Sequence, residues 1–456
     1  MSWIESELET LDIGDIRLNR RAVSIAENLG LAPGRTIPQA FISRRDIKAC
    51  YKFFDNGSVS DKKILAPHIE KTKERIQEYP VVLLPSDTSE LDYTTKKAMT
   101  GKERITNTKT GLWLHATVAV TPERLTLGMV DAHFWNRKSE VAEKSSEYKT
   151  AREKVPIEEK ESYRWIQSYL KACEIAREVP ETQIINITDR EGDIIEIFQV
   201  ALEENKKGKC ADFIVRSQYD RLIEEKDPDI KKLKQKLNQA ESFGEIEFTI
   251  PPTEKRKGRK VKQQLKAVLL KLKPAKKDIA VEVNAVMAIE MNPPEGEDPL
   301  VWIFITSLPI NNFENINKII SYYLCRWEIE LFFKILKSGC KIEERQLQTT
   351  DRMKALLAIF MVLSWRVIFT MMLGRVCSEM SCRDIFEEAE WKSVYKILNK
   401  KKALPRKPPL LGEFVIMVAT LGGYVLTNTA EPPGVKTMWK GMARMVDFAI
   451  AWDAFG

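Results

Sequence analysis

The spacing of apolar and polar positions divides the chain into helical ends and a strand-rich middle. Between residues 15 and 29, Ala22, Ile25, Ala26 and Leu29 recur at steps of three and four, with Arg17, Arg20 and Arg21 beside them. That spacing predicts a helix with one core-facing stripe. Ser43 is a helix-capping residue; after it Ile47, Tyr51 and Phe54 share one face and Arg44, Lys48 and Lys52 another. Near residue 80 the pattern changes to short runs of strand type. Residues 81–84 end at Pro85-Ser86-Asp87, and 112–121 and 124–130 flank the turn Thr121-Pro122-Glu123. Residues 183–187 end at Thr188-Asp189, and 213–216 form one more run. Residues 135–180 are highly charged and read as mostly helical, a helix follows from Asp193, and 220–241 read as charged helix or linker. Strand-like runs return at 245–250, 267–272, 279–289 and 300–306, before a long helix from about 314 to 340. Residues 350–456 are mainly helical. The expected class is α/β, a mixed core with a β-rich insertion between helical ends, without internal repeats.

Composition narrows the function. No uninterrupted run reaches about 18 apolar residues, so no membrane partner is expected. The first residues lack the layout of a secretory signal. The cysteines, at 50, 173, 210, 325, 340, 377 and 382, are odd in number and lack CxxC spacing, which argues for a reducing, cytoplasmic compartment without structural zinc. His68, His115 and His133 form no ligand pair, so a metal would be held by carboxylates, which suit magnesium or manganese. The net charge of +7 is unevenly spread: residues 255–277, with Lys257, Arg259 and Lys260 among them, hold many cations and no acid. Such a run on a near-neutral body suits a polyanion, though a solvated flexible loop has the same composition.

Asp87 and Asp189 each follow a buried-type strand, and ligand chemistry in open α/β sheets gathers at the carboxyl ends of strands. Two such aspartates could share divalent ions for phosphoryl transfer; each alone is equally a turn former or helix cap. On a continuous helix Tyr323, Arg326, Glu330 and Lys337 fall within an arc of about 60°, beside an apolar arc of Ile329, Phe332, Phe333 and Leu336. Arg326 and Glu330 alone could be a surface ion pair, but a carboxylate lined up with a phenol and two cations suits a metal site that grips phosphates.

These residues resemble the Tyr-(2)-Arg-(3)-Glu-(6)-Lys signature of a group of bacterial insertion-sequence transposases. Ser86-Asp-Thr-Ser-Glu-Leu-Asp-Tyr resembles the group's first-aspartate motif, and Thr188-Asp-Arg-Glu-Gly-Asp its second. Residues 291–302 resemble the stretch leading to its base-binding tryptophan, and 411–452 its C-terminal dimerisation region. The resemblance implies an RNase H-like catalytic core with a β-rich insertion. The expected segments are a helical DNA-binding domain over 1–70, a catalytic domain over 71–365 with its insertion at about 240–312, and a helical dimerisation domain over 366–456. It implies a DDE triad of Asp87, Asp189 and Glu330 holding magnesium, with manganese as a substitute and two ions in use. Tyr323, Arg326 and Lys337 would contact the transposon-end backbone. Trp302 would stack a flipped-out base, with Trp327 lining the same pocket, although Trp302 could equally be a core residue of its strand. Arg44, Lys48, Lys257, Arg259 and Lys260 would add DNA contacts.

The implied activity is cut-and-paste transposition in a bacterial, nucleoid-associated setting, with double-stranded DNA and a second copy of the chain as partners and no small-molecule substrate. Two alternatives share these residues: a nuclease of the same fold without strand transfer, and an inactive DNA-binding regulator. Met438, Met442, Met445, Ala449 and Trp452 form a seam that suits a partner helix or a helix folded back on its own domain.

Overall fold

The computed structural model describes residues 2–31, 33–135, 155–252, 257–273, 280–427 and 431–455. Contacts gather the chain into two compact units. The first comprises Met1–Ile76, Thr88–Glu140 and Glu328–Gly456, the second Gln77–Asp87 and Val141–Trp327.

The first unit opens with helices Trp3–Glu7, Ile16–Leu31, Ile37–Ala40, Arg44–Phe54 and Asp61–Gln77, the last running one residue past the unit's boundary. Ile16–Leu31 buries Ala22, Ile25, Ala26 and Leu29, the four expected positions. Arg44–Phe54 starts where expected, because the Ser43 side chain accepts the Asp46 N–H at 3.1 Å. Its buried residues are Cys50, Phe53 and Phe54. Tyr51 stays half-buried, which leaves its hydroxyl end near water, and Arg44, Lys48 and Lys52 are exposed. Strand β1 (Val81–Asp92) enters this unit at Thr88 and is followed by β2 (Glu103–Arg104), β3 (Thr110–Val120) and β4 (Thr126–Trp135). β3 and β4 form the expected hairpin, with Arg124 at φ 70° in its turn.

A buried polar junction ties these parts together. His68 Nε2 accepts the Met129 N–H at 3.0 Å, so the ring is neutral and its Nδ1–H donates to Glu7. Burial alone would raise the Glu7 carboxyl, but hydrogen bonds from His68 and Arg75 outweigh it and hold it near 2. Arg75 lies 4.4 Å over the Trp365 ring, and Trp365 Nε1 donates to Thr126 O at 2.9 Å. Trp365 belongs to helix Thr350–Val376, 27 residues long. Contrary to the impression left by the interrupted apolar runs, this helix is long and apolar enough to cross a membrane, yet 89% of its most apolar window is buried inside the protein. A helix that is apolar on every side is what a core centre requires.

Helices Glu388–Leu398, Leu411–Leu421 and Val435–Phe455 complete the unit. The last two cross at a pair of glycines. A Cβ on Gly422 would lie 1.8 Å from Thr437 O, and one on Gly441 would lie 1.9 Å from Val418 O. Of the two readings of the seam, the helix folded back on its own unit holds for Met438 and Met445, which are buried there, while Met442, Ala449 and Trp452 are half-buried.

The second unit is built on a mixed sheet. The first half of β1 pairs in parallel with β5 (Gln183–Thr188), and β5 in parallel with β6 (Asp212–Arg216). Helices Tyr163–Glu178 and Ile195–Lys206 provide the connections. Beyond β6 the order continues through β11 (Val301–Thr306), β10 (Val281–Glu290) and β9 (Arg259–Leu272) to β7 (Ile223–Glu224), with β8 (Ser242–Ile250) also on β9. The expected insertion therefore extends the same sheet: β11 pairs antiparallel with β6 and covers the edge β6 would otherwise expose. A short helix, Leu233–Gln239, precedes β8.

Three expectations need correction here. First, β1 does not end before Asp87; it runs through Pro85 to Asp92. Proline reads as a strand breaker because it cannot donate to a ladder, but pairing with β5 ends at Pro85 itself. Second, the middle of the basic run is not a loop but the fourteen-residue strand β9. Arg259 binds Glu290 at 3.0 Å and Glu297, Lys262 binds Glu245, and Lys266 donates to Asn238 O, so protein groups take up part of its charge. Lys257 and Lys260 are exposed, while the members at 255, 256, 276 and 277 lie outside the described residues, as does most of the charged stretch 136–154. Third, the long helix is broken: Phe313–Leu324 stops, Cys325 and Arg326 form a turn, and Trp327–Lys334 resumes and passes into a π-turn at Ile335–Gly339. A single 100° projection of Tyr323, Arg326, Glu330 and Lys337 does not survive that break.

The glycine crossing yields a sign-reversed prediction. In an open helix, glycine to alanine stabilises by up to about 1 kcal/mol. Gly441→Ala should instead lower the thermal midpoint, because the methyl would strike Val418 O. A raised midpoint in a melting curve would refute the close crossing.

Candidate active site and nucleic-acid interface

The register of β1 and β5 creates the site in the second unit. Pro85 is paired with Ile187, where the ladder ends, and Asp87 and Asp189 each lie two residues further on, Asp87 still within β1 and Asp189 just past the end of β5. Strands so paired are about 4.8 Å apart. Asp87 is not alone with its neighbour's charge: Arg326 Nη1 donates to its Oδ2 at 3.1 Å, with side chains 14% and 21% exposed. The helix break described above presents this guanidinium. Cys325 and Arg326 donate their N–H groups to Tyr322 O and Tyr323 O, each at 3.0 Å, which turns the chain tightly between the two helices.

Asp189 caps the short 3-10 turn Arg190–Gly192 by accepting the Glu191 N–H at 2.8 Å. The turn folds back so closely that a Cβ on Gly192 would lie 2.5 Å from Thr188 Oγ1, which explains the glycine in Thr188-Asp-Arg-Glu-Gly-Asp. Asp193, at the end of that motif, is fully buried. It accepts the N–H groups of Gln218 and Tyr219 at 2.7 and 3.1 Å and binds Arg221 at 2.6 Å. The segment that carries Asp189 is thereby tied to the loop after β6. Sequence reading had taken Asp193 only as a helix start, and no local spacing could reveal a partner 28 residues away.

A row of aromatic rings crosses the sheet to Tyr323. Phe248 on β8 stacks on Trp302 at 5.4 Å, Trp302 lies 6.5 Å from Phe304, and Phe304 lies 4.6 Å from Tyr323. The guanidinium groups of Arg216 and Arg326 approach the Tyr323 ring at 6.0 and 5.9 Å. Tyr323 Oη is buried with no hydrogen-bond partner among the described residues. Trp302 is half-exposed rather than a core residue, and Trp327 is 55% exposed. Phe248 and Arg216 were missed in the sequence, because only the pairing of β8 with β9 and of β6 with β11 brings them to this row.

Glu330 and Lys337 belong to the first unit. Glu330 is half-exposed on helix Trp327–Lys334, where Ile329, Phe332 and Phe333 are the buried side. Lys337 sits in the π-turn and pairs with Glu343 at 3.6 Å, and Glu343 also accepts the Asp92 N–H at 2.9 Å. Such π-turns often accompany functional positions. Glu328, two residues before Glu330, is buried and raised to about 7, by burial against the opposing charges of Arg124 and Arg375.

The aspartate pair offers hard oxygen donors, a chemistry that fits magnesium or manganese. Among the described residues, no group of three or more His, Cys, Asp or Glu side chains is gathered closely enough to hold an ion.

Comparison with known families places both helical ends. Residues 1–59 match the model described as transposase DNA-binding, and residues 362–452 match that of the transposase Tn5 dimerisation domain. The exposed cations Arg44 and Lys48 lie inside the first match, and the glycine-crossed helices inside the second. Both matches are to transposase domains, one for binding DNA and one for dimerisation, and they support DNA and a second copy of the chain as partners. The two matches, in this order at opposite ends, support a Tn5-like transposase.

The two aspartates of one motif should separate cleanly. Asp193→Ala removes one partner of a buried ion pair and should cost about 3–5 kcal/mol in denaturant unfolding. Asp189→Asn can still cap its turn and should stay within about 0.5 kcal/mol of the parent. Equal losses would contradict the division between support and site.

Proposed function

We propose that the protein is a cut-and-paste DNA transposase whose chemistry is carried by Asp87, Asp189 and Glu330. The observation behind this reading is that Asp87 and Asp189 each lie two residues beyond the last pair of β1 and β5, with Arg326 on Asp87, in a chain with a match to a transposase DNA-binding domain at one end and to a Tn5 dimerisation domain at the other. Glu330 joins them through the motif it completes. Magnesium, or manganese in its place, held by these carboxylates as one or two ions, would supply Lewis-acid activation of the attacking oxygen and neutralise charge at phosphorus.

The remaining work falls to the chain's own residues. Arg326 orients Asp87, and its fork of donors suits a DNA phosphate equally well. Lys337 and the Tyr323 phenol add grip on the transposon-end backbone. Trp302 and the exposed Trp327 offer stacking faces, worth about 1–3 kcal/mol each to an unstacked base. Such faces matter if one strand is cut by water and the released 3′-OH then attacks the opposite strand, since the resulting hairpin needs a base out of the stack. After the hairpin opens, the 3′-OH attacks target DNA. The N-terminal helices hold the end by Arg44 and Lys48, with Lys257 and Lys260 on the β-rich extension.

Asp87→Asn, Asp189→Asn and Glu330→Gln should each lower end cleavage by at least about 10³-fold, a loss of roughly 4 kcal/mol in the transition state, while end affinity changes little. Cleavage and gel-shift assays on the same preparations decide it, and near-normal cleavage by any variant removes that residue from the chemistry. Cleavage without 3′-OH joining would favour a simple nuclease.

Binding has its own test. Replacing Arg44 and Lys48 together should flatten the plot of log affinity against log salt by up to about 0.9 per lost phosphate contact. An unchanged slope would mean that this helix face does not meet DNA.

A further inference from the structure

Two thiols of the second unit take no part in the chemistry above. Cys173 is fully buried on helix Tyr163–Glu178, one turn after Tyr169. Its sulfur accepts the Ala211 N–H at 3.5 Å, and Tyr169 Oη donates to Ala211 O at 2.8 Å. The helix face thus clamps the residue next to Cys210. A peptide nitrogen lies about 2.4 Å from the preceding Cα, so the Cys210 Cα is within about 6 Å of the Cys173 sulfur. The Cys210 thiol donates to Asn205 Oδ1 at 3.9 Å. Cys210 is half-exposed, whereas Cys173 is sealed from solvent.

The pair is chemically unequal. The neighbouring Cys173 thiol is the main cause that draws the Cys210 thiol down to about 7, with burial opposing and Tyr169 assisting. Cys173 is pushed up, first by the neighbouring Cys210 and then by burial. At neutral pH the accessible sulfur therefore has thiolate character and the sealed one keeps its proton.

We propose that Cys210 and Cys173 form a peroxide-responsive pair that closes an intramolecular disulfide. The Cys210 thiolate attacks one oxygen of hydrogen peroxide: an S–O bond forms, the O–O bond breaks, and hydroxide leaves. Cys210 is then a sulfenic acid. The Cys173 thiol attacks that sulfur: the S–S bond forms, the S–O bond breaks, and the Cys173 proton departs with the hydroxide as water. In total, two thiols and one peroxide become one disulfide and two waters. The closed loop contains β5, Asp189, Asp193 and helix Ile195–Lys206. The bond would staple helix Tyr163–Glu178 to the start of β6, at the opposite end of the β5–β6 pair from Asp189.

The test treats the full-length protein with a small excess of hydrogen peroxide, followed by alkylation and tryptic digestion without reductant. The linked peptides 172–177 and 210–216 should appear, lighter than their sum by two hydrogens, and should vanish with dithiothreitol. Cys210 should react about tenfold faster than the other half-exposed thiol, Cys377. Cys173→Ser should leave Cys210 as a sulfenic acid trapped by dimedone, and Cys210→Ser should leave Cys173 unmodified. Overoxidised Cys210 without the linked peptide in the parent protein, linkage through another cysteine, or earlier reaction of Cys173 would each overturn the proposal.

Discussion

The parallel register of β1 and β5 organises the second unit. It ends at Pro85 and Ile187 and so carries Asp87 and Asp189 two residues beyond the paired stretch of neighbouring strands. Arg326 donates to Asp87 at 3.1 Å from the turn at Cys325 and Arg326, between helices Phe313–Leu324 and Trp327–Lys334.

The parts around the pair hold its geometry rather than add to its chemistry. Gly192 lets the turn after Asp189 close over Thr188, and buried Asp193 fastens that turn to the loop after β6 through Arg221. The β-rich extension covers the β6 edge and carries Trp302 into a row of rings that ends at Tyr323 beside two guanidinium groups. In the first unit, neutral His68 and ionised Glu7 join the N-terminal helices to β4 and the central apolar helix. The result is a rigid support for the exposed Arg44 and Lys48.

The sequence made the helical ends, the strand-final Asp189 and the order of the β-rich stretch legible, because each rests on local periodicity. The core stripe of Ile16–Leu31 and the Ser43 cap were readable for the same reason. What escaped depends on distant partners. Pro85 concealed the continuation of β1, since nothing local says that pairing with β5 ends there. The break at Arg326 and the π-turn at Lys337 leave no mark in apolar spacing. The alternation within β9 was hidden by its lysines, of which Lys262 pairs with Glu245 on β8 and Lys266 donates to Asn238 O. The spacing of Met438 and Met445 left a partner helix and a fold-back both open, because the glycine crossing lies between helices, not within one.

The central claim is that Asp87 and Asp189 hold a divalent cation, and it can be tested without measuring transposition. Ferrous iron substituted for magnesium, with ascorbate and peroxide, cuts polypeptide within a few ångströms of where the metal sits, and the cuts can be mapped by mass spectrometry. The account predicts cuts clustered near residues 87 and 189, suppressed by excess magnesium and lost in Asp87→Asn. Cuts distributed elsewhere, or a pattern unchanged by Asp87→Asn, would contradict it.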